Sequence, residues 1–289
     1  PSITSTQAFW GHADGGQPAM LLDLSIHNPL AVETRVERVS YLAIVDYVLA
    51  GQGVQTPALS ISAGRDTTVP VAIPLKDAFV GEWWSGVASG RTASAVHVSG
   101  VLTLRGPGGV HELPFKWDSS GDYEILGPIA DAMESCSDAA VGLCLRGTDV
   151  KWDSHDVQAT LHVRNQGPEP AVIRGGGADL EFDEWVVAAG NTNRSLALAP
   201  GEEGDVILAL VFSRPSMAEW WPGHVERCET TPVQVAVRLD VERPGQDQVN
   251  GTVDPASPGG DSGAQDVGKL QWRFPVDPFQ TRLICGDAP

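Results

Sequence analysis

Few stretches of this sequence carry residue types in an order that could do chemistry. Gly260-Asp261-Ser262-Gly263 has the order that presents a nucleophilic hydroxyl for acyl transfer, but no histidine stands in a matching context. Gly263, Gly268 and Lys269 outline a phosphate-cradling loop, yet Leu270 stands where a magnesium-binding hydroxyl is required and the run leads into a strand pattern, not a helix. Metal ligation needs convergent side chains at set spacing. Asp153, His155 and Asp156 in "WDSHD", and Asp247, Asp254, Asp261 and Asp266 further on, match neither an EF-hand loop nor a zinc signature and read as solvated acidic turns. No catalytic, cofactor-binding or metal-ligating residue is expected, and no cofactor. Asn193-Arg194-Ser195 and Asn250-Gly251-Thr252 are formal glycosylation sequons, meaningful only in a host that uses them.

The remaining candidate is stacking by tryptophan. "EWW" occurs at Glu82-Trp83-Trp84 and again at Glu219-Trp220-Trp221. Two adjacent indoles can form a platform for sugars or bases, or they can be interior filling. Val80, Trp84 and Ala88 are four apart, as are Phe79, Trp83 and Val87, which is helical spacing. In the second stretch, Pro215 fits an early helical position, Ser216 and Glu219 match a capping box, and Pro222-Gly223 is expected to end the helix. Neighbouring residues on a helix diverge by ~100°, so one ring is expected in a core and the other over strand edges or the junction with the next element. Trp83, Trp84, Trp220 and Trp221 are therefore read as a structural plug.

The pair also reveals the architecture. The offset 219 − 82 = 137 carries Asn28 onto Asn165, Gly64 onto Gly201, and Val96 and Val98 onto Val233 and Val235. One constant offset over such a length marks an internal duplication. Leu22, Leu24 and Ile26 alternate with Asp23, Ser25 and His27, and Ala159, Leu161 and Val163 do the same, the period of half-buried strands. His27 and His162 fall on the polar faces. Further strands are expected in "RVSYLAIVDYVLAG", "TTVPVAIPL", "SAVHVSGVLTL" and "VHELPFKW" and their counterparts. The fold class is all-β, with two tandem immunoglobulin- or fibronectin-III-like β-sandwiches, each with one short helix carrying its tryptophan pair. The expected domains are 1–128 and 149–289, with a linker at 129–148 and a disordered hairpin insertion at about 243–266 in the second copy.

With 289 residues, 42% hydrophobic and 19% charged, the chain has globular composition. A net charge of −18 argues against nucleic-acid binding, which needs a basic patch to release counterions. No apolar run reaches the ~20 residues of a membrane helix. The start at Pro1, without methionine, raises the expectation of a leader or anchor upstream, which would be the only link to a membrane. Four cysteines, Cys136, Cys144, Cys228 and Cys285, form no C-x-x-C pair and are compatible with two disulfides in an oxidising compartment or with four buried thiols. Of three pairings, the short separation favours Cys136 with Cys144, leaving Cys228 with Cys285.

The order strand, Asn28-Pro29, "SYLAIVDYVLAGQG", "SAGRDTTVPVAIPL", helix, "VHVSG" and "GVHELPFKW" resembles the WHy (water stress and hypersensitive response) domain of late embryogenesis abundant type 2 proteins. The first copy matches over most of 1–125. The second, about 149–286, departs where Asn165 is followed by Gln166-Gly167-Pro168 instead of proline. The resemblance implies folded sandwiches, no catalysis, an extracytoplasmic setting at the cell surface or periplasm, and protection against drying or salt. Partners would be other envelope proteins or partly unfolded proteins. The rival expectation is an immunoglobulin-like adhesion or ligand-binding module whose insertion is the recognition loop.

Overall fold

The computed structural model describes residues 1–136, 142–153, 156–192, 194–243 and 268–285, with the backbone only at 134–136 and 153. The chain is an all-β, sandwich-like protein with few helices. The first copy runs β1 (Ser2–His12), β2 (Pro18–His27), β3 (Thr34–Val45), β4 (Val48–Gln55), β5 (Leu59–Ile61), β6 (Asp66–Pro74), α1 (Phe79–Val87), β7 (Ala93–Gly106) and β8 (Gly109–Asp122). After α2 (Leu126–Ala132) and β9 (Glu134–Cys136), the second copy runs β10 (Leu143–Asp153), β11 (Asp156–Asn165), β12 (Ala171–Phe182), β13 (Trp185–Thr192), β14 (Leu196–Leu198), β15 (Glu203–Phe212), α3 (Arg214–Glu226), β16 (Thr230–Glu242) and β17 (Lys269–Gln280).

The duplication extends to register. Leu22 pairs with Val71 and Tyr41 with Gly100; 137 residues on, Ala159 pairs with Leu208 and Ala178 with Val237. The irregularities repeat too, between Val36 and Arg38 in β3 and between Ile173 and Gly175 in β12. Strands β1-β2-β6 form one sheet and β4-β3-β7-β8, with β5, another. In the second copy the order is β17-β16-β12-β13-β15-β11-β10-β9, continuous because Ala188 and Ala189 of β13 pair with Phe212 and Val211 of β15.

Each copy is pinned by its asparagine. Asn28 is fully buried; its amide nitrogen donates to the carbonyls of Val32 and Ile61 at 2.9 and 3.0 Å. Asn165 does the same to Glu169 and Leu198 at 2.8 and 3.1 Å. Gly64 and Gly201 return their N–H to the carbonyl of Asn28 and Asn165, at left-handed φ of 63° and 79°. The loss of the Asn-Pro step in the second copy leaves this arrangement intact.

Several expectations need correction. "SYLAIVDYVLAGQG" is a hairpin, not one strand: Asp46 and Tyr47 both take positive φ, 50° and 71°, the geometry of a tight two-residue turn. Strands β1 and β10 lie outside the strands expected from sequence. Helix α3 begins at Arg214, and Ser213, not Ser216, is its cap: its Oγ accepts the Ser216 N–H at 3.3 Å. It also passes Pro222 and continues to Glu226, because burial of Trp220, Trp221, His224 and Val225 outweighs the missing N–H. The stretch 129–148 holds the end of α2, β9 and the start of β10, where Leu143 and Leu145 are buried. Most of the insertion at 243–266 lies outside the described residues.

Contacts divide the chain differently from the sequence copies. Unit 1 is Pro1–Tyr123 with Ala218–Thr231 and Phe279–Pro289; unit 2 is Glu124–Met217 with Pro232–Pro278.

Candidate functional site

In unit 1 all four paired indoles are buried: Trp83, Trp84, Trp220 and Trp221 are 0, 4, 1 and 2% exposed. Neither ring of either pair is left over a strand edge in water. Trp83 donates its indole N–H to the Ser94 hydroxyl at 2.9 Å. The Ser94 hydroxyl in turn donates to Asp46, whose carboxylate also accepts the Ala95 N–H at 2.8 Å and the Arg91 guanidinium at 2.7 Å. The turn that puts Asp46 in the left-handed region thus aims its carboxylate at the end of α1.

The second pair repeats the first contact at the same offset: Trp220 donates to the Thr231 hydroxyl at 2.9 Å. The cluster then diverges. His224, fully buried, lies 2.8 Å from the Thr231 hydroxyl through Nδ1 and 3.0 Å from the Thr281 hydroxyl through Nε2. Its ring stacks on Phe279, with centroids 5.6 Å apart and planes 17° from parallel. Burial, with a smaller contribution from the Arg227 charge, pushes its pKa down to about 3, so the imidazole is neutral, as one donor and one acceptor require. Trp221 packs against Trp83 at 5.2 Å and edge-on to Trp10 at 6.1 Å.

Glu229 is the second titratable group of the cluster, 1% exposed. Cys228 and Glu229 have φ of 51° and 61°, which turns the carboxylate inward. It accepts N–H bonds from the Trp10 indole at 2.8 Å and from the backbone of Ile284 and Cys285 at 3.1 and 3.3 Å. Burial raises its pKa above the usual carboxylate range, and these donors only partly oppose that. Next to it, Cys228 forms a disulfide with Cys285, 57 residues on. At the offset of 137, Cys228 occupies the position of Arg91. Cys144 is also disulfide-bonded, and its partner in the β9–β10 ladder is Cys136, whose side chain lies outside the described residues.

Neither His224 nor Glu229 reaches solvent, and the bonds of both are committed, so this cluster holds structure and presents no accessible reactive group. On the surface, His27 meets Asp66 at 2.8 Å, His97 meets Asp118 at 2.7 Å, and His162 lies between Asp205 at 2.9 Å and Glu203 at 3.1 Å. Hydrogen bonds to Asp205 and then Glu203 raise the His162 pKa. Among the described residues no three His, Cys, Asp or Glu side chains are grouped to hold a metal ion, and no helix is long and apolar enough to cross a membrane. His155, Asn193, Asn250, Ser262 and the acidic residues of the insertion lie outside the described residues. Asp46, Ser94, His224, Glu229, Thr231 and Thr281 escaped the sequence reading. Ser94 and Thr231 share the 137 offset, as do Asp46 and Asp183, and that was the available signal.

No family model and no curated protein matches this chain. Among solved structures, an Archaeoglobus fulgidus protein is similar at 21% identity and a TM-score of 0.39, over 43% of this chain and 100% of that one. An Arabidopsis thaliana protein is similar at 15% identity and a TM-score of 0.34, over 42% of this chain and 79% of that one. Red sea bream transglutaminase aligns at 14% identity and a TM-score of 0.23, covering 84% of this chain and 29% of the fish protein.

Proposed function

We propose that this chain is a non-enzymatic WHy-like protein that protects envelope or surface components against drying or salt, outside the cytoplasm. The observation that carries the reading is the separation of its two chemistries. The paired indoles of Trp83, Trp84, Trp220 and Trp221 are interior, while 37 acidic against 19 basic side chains give a net charge of −18. Such an excess of carboxylate keeps a protein hydrated, soluble and self-repelling as water is withdrawn. The Cys228–Cys285 disulfide suits an oxidising compartment. Partly unfolded neighbours are the partners this mode of action requires, and nucleic acid is disfavoured by charge.

The test is drying with a labile reporter enzyme, followed by rehydration and assay. More reporter activity should survive with this chain than with an equally acidic, unrelated protein at the same mass concentration. Equal recovery from the two would remove the protective role and leave only a charge effect.

A further inference from the structure

Within unit 2 a cavity of about 20 Å³ lies between the sheet layers. Its wall is entirely aliphatic, including Ala159, Ala178, Leu180 and Val237, and its roof is Ile129 of α2 and Met133 just beyond it. The duplicated register supplies an internal comparison. At the level of Ala178 and Val237 the first copy has Tyr41 opposite Gly100, and a Cβ on Gly100 would stand only 2.3 Å from the Phe115 ring. Two aromatic rings therefore fill this level in the first copy, and none lines the cavity in the second. Leu22 likewise becomes Ala159. Bulk returns two residues along the same strand, where Ala43 becomes Leu180, which also lines the cavity.

The roof is built to yield. Helix α2 has seven residues, includes Gly127 and Pro128, has no side-chain cap at its start, and buries only Ile129. A helix that short has no stability of its own in water. It is held to the sheet by the burial of Ile129 and Met133, by a hydrogen bond from the Gly147 N–H to the Met133 carbonyl at 2.6 Å, and at its far end by the short β9–β10 ladder. Burial of two such side chains is worth about 3–6 kcal/mol, which an apolar occupant making the same contacts would replace. Met133 is unbranched and can swing aside by rotation alone.

We propose that unit 2 binds a small, uncharged apolar molecule, an alkyl chain or single aromatic ring, in the space now covered by Ile129 and Met133. The cavity as it stands holds about one water-sized sphere and offers water no polar partner, so it is dry. Occupation requires α2 to lift, and the aliphatic wall selects against any charged or hydrogen-bonding ligand.

The experiment is titration of the full chain with benzene and with hexane, read by methyl shifts in NMR. Saturable shifts confined to cavity methyls, such as those of Ile129, Leu180 and Val237, are expected. Ala178→Tyr, which restores the residue of the first copy, should weaken binding at least tenfold. Ile129→Ala, which opens the roof, should tighten it several-fold. If Ala178→Tyr does not fold, Ala159→Val is the milder filling variant, expected to weaken binding several-fold. The absence of saturable shifts up to the solubility limit would overturn the proposal, as would undiminished binding in a folded filled variant.

Discussion

Trp10 donates its indole N–H to Glu229 at 2.8 Å, joining residues 219 positions apart through a carboxylate only 1% exposed. Because burial raises the folded-state pKa of Glu229, the folded protein holds this proton more tightly than the unfolded chain. The stabilisation is fully present below the unfolded carboxylate value and is lost as pH rises through the folded one. Glu229→Gln removes this titration while keeping an acceptor oxygen. Thermal melts of the two proteins from pH 4 to 8 should show the variant gaining on the parent as pH rises, and a pH-independent gap would contradict the assignment.

His224 has the opposite sign. Its folded pKa, about 3, lies below the ~6.5 of an exposed histidine, so its contribution is present above ~6.5 and erodes as pH falls toward 3. At ~1.4 kcal/mol per unit the full loss is on the order of 5 kcal/mol. Urea unfolding at pH 7 and pH 4.5 should show a marked acid destabilisation that His224→Gln reduces, since an amide takes on no proton in this range.

Truncation of the indoles tests their interior role. Trp83→Ala and Trp220→Ala should each cost about 3–5 kcal/mol in chemical denaturation, as for other large core deletions. An exposed stacking platform would tolerate both changes almost without loss.

Serine replacement of Cys228 and Cys285 opens a loop of 57 residues. Loop-closure entropy puts the loss at about 4 kcal/mol, with the usual range about 2–4 kcal/mol. A thiol reductant should shift the melting of the parent by more than that of the double-serine protein, which keeps only the disulfide at Cys144.

Asn28→Ala and Asn165→Ala should destabilise by similar amounts, about 2–3 kcal/mol each, since each removes a buried amide that satisfies two carbonyls on either side of its loop. Separate melting transitions for the two variants, if resolved, would identify which part of the chain each asparagine secures.

The sequence revealed what repeats. Asn28 and Asn165, the two tryptophan pairs and the alternating strands were legible because each is fixed by partners at the same spacing in both copies. The Asp46-Tyr47 turn was hidden because it adopts positive φ without glycine or asparagine, and Asp46 is the one polar residue in an otherwise apolar run from Tyr41 to Ala50. The length of α3 was misjudged because a local rule about Pro222 gave way to tertiary burial. His224 and Glu229 were invisible for a deeper reason: apart from Thr231, their partners are residues 10, 281, 284 and 285, and no local pattern announces a contact that only the finished fold creates.

Unit 1 is assembled from three stretches of chain, and this has a consequence for biosynthesis. Residues 1–123 emerge from the ribosome before the rest of their unit, whose last piece starts at Phe279, 279 − 123 = 156 residues later. At about 5–20 residues per second the wait is roughly 8–30 s. The nascent first copy therefore carries Trp83 and Trp84 without the full set of rings around them, a set completed only when synthesis passes Phe279.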